Sequence, residues 1–180
     1  MAALTVANAV KAINEHGALL LYPIDNRKEP ESIWSVFFPK TEMRWEWDSD
    51  GDDRVAKLWH YKTELSVSKK VVYSKWYRGR ATFFSKEVFS VLLSIAGTRK
   101  TSTYSLSREA KQILEVLEMD SPLSTKQIKA LTELRGKVFE STYEKAMKEL
   151  WSKFLIVGFG EVEDGAFPSL AVSATKALFE

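Results

Sequence analysis

Between Leu106 and Thr175 the spacing of apolar residues changes in a way that leaves few folds open. After Leu106-Ser107-Arg108-Glu109, Ala110, Ile113, Leu114 and Leu117 recur at intervals of three and four, the stripe of an amphipathic helix. Ser121-Pro122-Leu123-Ser124-Thr125 stops that helix and supplies hydroxyls to cap a second, short one carrying Ile128 and Leu131. A third helix, Val138 to Ser152, sets Phe139, Ala146, Met147, Leu150 and Trp151 on one side. The pattern then turns to a strand at Phe154-Leu155-Ile156-Val157, a Gly/Asp turn and a second strand near Leu170. Three helices and a hairpin in this order predict a winged helix, a shape built for DNA or borrowed from proteins that touch it.

The preceding half of the chain carries a similar order of elements. Val6, Ala9, Val10 and Ile13 make one face of a helix over Thr5 to Glu15, which His16-Gly17 ends. Ala18 to Tyr22 reads as a buried strand stopped by Pro23, and Pro30-Glu31-Ser32 starts a helix through Ile33, Trp34 and Phe37. Asp52 or Asp53 caps a helix bearing Val55, Leu58, Trp59 and Leu65. Lys70 to Trp76 and Arg80 to Phe84 form strands about an Arg78-Gly79 turn. The expected fold is therefore α+β, with tandem winged-helix domains, each a helix-turn-helix plus a β-hairpin wing. Residues 1–84 form the first domain, 85–105 a connecting helix and linker, and 106–180 the second. The agreement is one of topology, without a residue-level repeat, and a single mixed α+β amino-terminal domain is the alternative.

Composition narrows the class. A hydrophobic content of 45% excludes wholesale disorder, and no apolar run approaches the roughly 20 residues of a membrane helix. Met1 to Ala18 lacks the basic start and apolar middle of a signal peptide, so a cytoplasmic protein without membrane partners is expected. The absence of cysteine removes disulfides, thiolate metal sites and cysteine nucleophiles.

A net charge of +2 says little, but its distribution says more. From Ser68 to Lys100, Lys69, Lys70, Lys75, Arg78, Arg80, Lys86, Arg99 and Lys100 face Glu87 alone, whereas Thr101 to Glu180 is slightly acidic. The basic-aromatic hairpin is accordingly the leading nucleic-acid candidate. Lys69, Lys70, Lys75, Arg78 and Arg80 can displace counterions from phosphates, and Trp76 or Tyr77 can stack on an exposed base. The plainer reading is a sheet edge guarded by lysines. Lys145 and Lys148 of the third carboxy-terminal helix are further candidates. That helix has no Arg, Asn or Gln for base reading, and its Glu140, Glu144 and Glu149 oppose phosphates. On sequence, the carboxy-terminal unit reads better as a scaffold or protein-contact module.

Alternation in Arg44-Trp45-Glu46-Trp47-Asp48 puts two indoles on one side of an extended segment. With Trp59 they form either a pocket for a flat ligand or, as the preferred reading, an aromatic flap over the core. Catalytic and cofactor signals are thin. His16 and His60 lack metal-spaced partners. Asp48, Asp50, Asp52 and Asp53 imitate a calcium loop whose twelfth position falls on Trp59, so a helix-capping loop is expected there. No phosphate loop or nucleophile elbow occurs, and no cofactor or metal is expected.

With these segments in place, the chain resembles the AlkZ/YcaQ-type winged-helix DNA glycosylases, and most closely the short AlkZ-related proteins. The resemblance is carried by Trp45-Glu46-Trp47, Lys57-Leu58-Trp59, Lys75-Trp76-Tyr77-Arg78-Gly79-Arg80-Ala81-Thr82-Phe83-Phe84-Ser85, Leu106 to Leu114, Pro122-Leu123-Ser124-Thr125 and Lys148-Glu149-Leu150. It implies winged-helix architecture and an association with DNA. The full-length family stacks three winged helices and excises damaged bases through a Gln-x-Gln motif that orients water. Here the two glutamines, Gln112 and Gln127, are far apart, and the chain is shorter than three modules. The glycosylase activity is therefore not carried over, and no catalytic residue is assigned. The expectation is a non-catalytic DNA-binding or repair-related protein. The alternatives are a hydrolase using Asp50, Asp52 or Glu46 on a flipped base, and a protein-interaction module, including a homodimer.

Overall fold

The computed structural model describes residues 2–45, 47, 51–98 and 105–179. Among them are eight α-helices and six β-strands, an α+β chain. It divides into two compact units, Met1–Tyr73 with Arg80–Phe89, and Ser74–Gly79 with Ser90–Glu180.

In the first unit, α1 (Val6–His16) starts where Thr5 Oγ1 accepts from the Asn8 amide, and it stops at Gly17. There the backbone turns left-handed and the Gly17 amide donates to Ile13 O at 2.8 Å. β1 (Ala18–Leu20) follows. α2 (Ile33–Phe37) begins three residues after Pro30, because Ser32 and Ser35 form a reciprocal capping box that fixes the helix start. Next come α3 (Asp53–Val67), β2 (Val71–Ser74) and β3 (Thr82–Ser85). β1 pairs antiparallel with β3, and the strand order is β1-β3-β2. Ile13, Leu19, Ile33, Trp34, Leu58, Leu65 and Phe83 fill the core. The connecting helix α4 (Lys86–Thr98) contains the boundary between units, and most of the expected linker, 99–104, lies outside the described residues.

The second unit runs α5 (Arg108–Met119), β4 (Leu123–Ser124), α6 (Thr125–Leu131), α7 (Lys137–Ser152), β5 (Ile156–Val162), β6 (Ser169–Ala174) and a terminal α8 (Thr175–Phe179). The α5 stripe Ala110, Ile113 and Leu117 is fully buried against α7 and β6. β4 pairs with β6 through Leu123↔Val172 and Ser124↔Ala171, so the strand order is β5-β6-β4. Sequence spacing does not show β4, because two residues carry no periodicity and Ser124 also serves as the α6 cap. β5 starts at Ile156 rather than Phe154, since Phe154 adopts φ +57 and the Leu155 amide donates to Leu150 O, closing α7. Up to α8, each unit presents helix, strand, helix, helix, strand, strand, with its third strand between the other two.

Candidate nucleic-acid interface

The turn after β2 is shaped by local chemistry. Ser74 Oγ accepts from the Trp76 amide at 3.1 Å, while Arg78 and Gly79 both hold left-handed backbone at φ +51 and +68. Two such residues in succession reverse the chain tightly, and glycine at the second does so without a Cβ penalty. The segment 74–79 belongs to the second compact unit, and this changes the charge of that unit.

Within the second unit, Lys75, Trp76, Arg78 and Gly79 form one wall of a cleft of about 780 Å³. The opposite wall is one face of α7, where Tyr143, Glu144, Met147, Lys148, Trp151 and Ser152 repeat at helical spacing. Leu170 and Val172 of β6 and Thr125 complete the lining. The cleft is therefore apolar and aromatic, with three cations and one carboxylate, Glu144. Trp76 is 41% exposed, and its ring stacks on Phe154 at 5.5 Å between centroids. The Arg78 guanidinium lies 5.4 Å from the centre of the Tyr77 ring. Lys75 is half-buried, and that burial pulls its ammonium pKa below the usual lysine range. The Tyr143 hydroxyl is buried without a hydrogen-bond partner. Burial raises its pKa.

The objection raised by the α7 glutamates shrinks in the structure. Glu140 is paired with Lys129 at 2.7 Å. Glu149 accepts from the Ser107 amide and hydroxyl, and Lys153 lies 3.7 Å from it. Only Glu144 of the three lines the cleft. What the sequence hid is that the basic segment 74–79 is assigned to the carboxy-terminal unit, so the unit is not confined to its own acidic stretch.

The remaining candidates are placed elsewhere. Lys69, Lys70 and Arg80 are exposed in the first unit, and Lys145 is exposed on α7 outside the cleft lining. Trp45 and Trp47 stack on each other at 4.8 Å and 7°. Trp45 meets Tyr22 edge-on, and Tyr22 stacks in parallel with Trp59 at 6.4 Å. Trp47 is 77% exposed, so the outer indole does not act as the expected flap over the core. Asp52 accepts from the Arg54 amide and is clasped by the Arg54 guanidinium, which holds its carboxyl below the usual carboxylate range. Asp48, Asp50 and Glu46 lie outside the described residues. His16 Nδ1 is 2.8 Å from Glu31 Oε2.

A model of the AlkZ-related family matches residues 3–166. The chain belongs to the AlkZ-related family. No curated protein and no solved structure matches it. In this AlkZ-related chain both glutamines serve the fold. Gln112 Nε2 donates to Thr132 O at 3.3 Å, and Gln127 Oε1 accepts from the Ser124 amide at 2.9 Å in the α6 capping box. Among the described residues no cluster of His, Asp or Glu is placed to hold a metal ion, and no helix is long and apolar enough to cross a membrane.

Proposed function

We propose that this AlkZ-related protein is a tandem winged-helix protein that binds DNA without chemistry of its own. The repeated element order, with the third strand central in each unit, is the winged-helix order and supports the architecture. The single observation that carries the binding role is the cleft, where Lys75 and Arg78 of the turn meet Lys148 of α7 over an aromatic floor. α7 corresponds to the helix that enters the groove in a helix-turn-helix reader, but it carries no Arg, Asn or Gln for base reading. The cations therefore hold phosphates and contribute affinity rather than sequence preference.

Fluorescence anisotropy of labelled DNA across a salt series tests this. Replacing Lys75, Arg78 and Lys148 together by alanine weakens binding by about tenfold or more and flattens the salt dependence. Affinity and slope that survive the triple replacement refute the assignment.

A further inference from the structure

The shape and lining of the cleft specify more than phosphate attraction. A continuous duplex offers a convex, charged backbone, which needs a cationic surface. This site is concave, and its volume of about 780 Å³ lies within the range of small-molecule pockets. Its lining includes Trp76, Met147, Trp151, Leu170 and Val172, side chains that carry no charge to attract a phosphate. They suit a flat apolar ring, and every nucleobase presents such a face. Three cations line the same cleft, as required if the ring is tethered to a phosphodiester. Glu144, the one carboxylate in the lining, opposes phosphates and limits the strand's affinity at low salt.

We infer that this cleft seats one unpaired base of single-stranded DNA, stacked on Trp76, with its flanking phosphates held by Lys75, Arg78 and Lys148. The inference rests on the DNA-binding reading and adds the preference for an unstacked, single-stranded segment. Bases splay out of single strands at little cost, whereas a paired base must first be unstacked. The preference is therefore for single strands over matched duplex, with little discrimination among the bases.

The full chain is titrated at one ionic strength against labelled oligothymidine, an abasic oligomer of the same length and charge, and a matched duplex. Oligothymidine binds about 5- to 150-fold more tightly than the abasic strand, more tightly than the duplex, and with quenching of tryptophan fluorescence. Trp76→Ala brings oligothymidine down towards the abasic level, while Trp76→Phe retains part of the advantage. The comparison of the two oligomers needs only the unaltered protein, so it stands even if a variant folds poorly. Equal affinity for base-bearing and abasic strands, or tighter binding to duplex, overturns the inference while leaving DNA binding in place. Absence of any salt-sensitive binding overturns the DNA-binding reading as well.

Discussion

Lys75 sits where stability and the proposed binding oppose each other. Its ammonium loses water to burial, and its pKa is drawn down for that reason. Below that lowered pKa the residue is charged in both folded and unfolded chains, and the folded state carries the full desolvation penalty. As pH rises through the lowered value the penalty disappears, so this residue makes stability increase with pH on the alkaline side. Lys75→Met keeps the aliphatic stem and removes the charge. Its expected outcome is a higher thermal midpoint, checked by circular dichroism, together with weaker DNA binding in the anisotropy titration. A glycine contrast belongs to the same scale. Gly17 and Gly79 share left-handed backbone, but a Cβ on Gly17 meets Val88 Cγ2 at 2.9 Å, whereas one on Gly79 meets open space. Gly79→Ala therefore costs only the backbone strain, about 1–2 kcal/mol. Gly17→Ala adds a steric clash and lowers the midpoint further, and Val88→Ala in the same chain relieves the clash without relieving the strain.

The β5–β6 hairpin is fastened to the helices by one half-buried carboxylate. Asp164, between β5 and β6, accepts from Ser124 Oγ, the α6 cap, and from Ser169 Oγ at 2.9 Å, while Lys126 Nζ donates to its carbonyl. The Ser124 and Ser169 hydrogen bonds hold the carboxyl below its ordinary range. A depressed carboxylate stabilises the folded state above the unfolded pKa of about 3.9 and loses that contribution as pH falls through the folded value. Protection of the β5 and β6 amides, measured against their intrinsic exchange rates at each pH, is therefore expected to fall on acidification below about pH 4. Asp164→Asn shows the lower protection already at neutral pH; identical protection in the two proteins refutes the clamp. None of this clamp was legible in the sequence, because Ser124 and Asp164 are forty residues apart and meet only when β4 pairs with β6. The helices were legible for the opposite reason. Ala110, Ile113 and Leu117 mark α5 through contacts at helical spacing, and Ser32 and Ser124 announce helix starts within four residues. The cleft falls between these cases. Its α7 face repeats at helical spacing, but its other wall, 74–79, comes from a distant stretch of chain, and no local pattern joins the two.

At the scale of the whole molecule, a charge of +2 provides little long-range steering, so the proposed affinity for DNA depends on where the cations converge. Three converge on the cleft, and a single strand releases about 0.7 counterion per phosphate neutralised. The logarithm of the binding constant then falls against the logarithm of salt with a slope of about −2. A slope steeper than about −4 demands more phosphate contacts than the cleft supplies, and brings in Lys69, Lys70, Arg80 or Lys145. Glu144 gives the complementary test, because it is the one carboxylate in the lining. Glu144→Gln removes a repulsion screened at one Debye length, so its effect is largest at low salt and fades above about 0.15 M. The expected gain is a few-fold in affinity at low salt with the slope steepened. A Glu144→Gln protein that binds like the parent at every salt concentration places the strand away from α7. It then leaves the exposed lysines of the first unit as the surface that holds it.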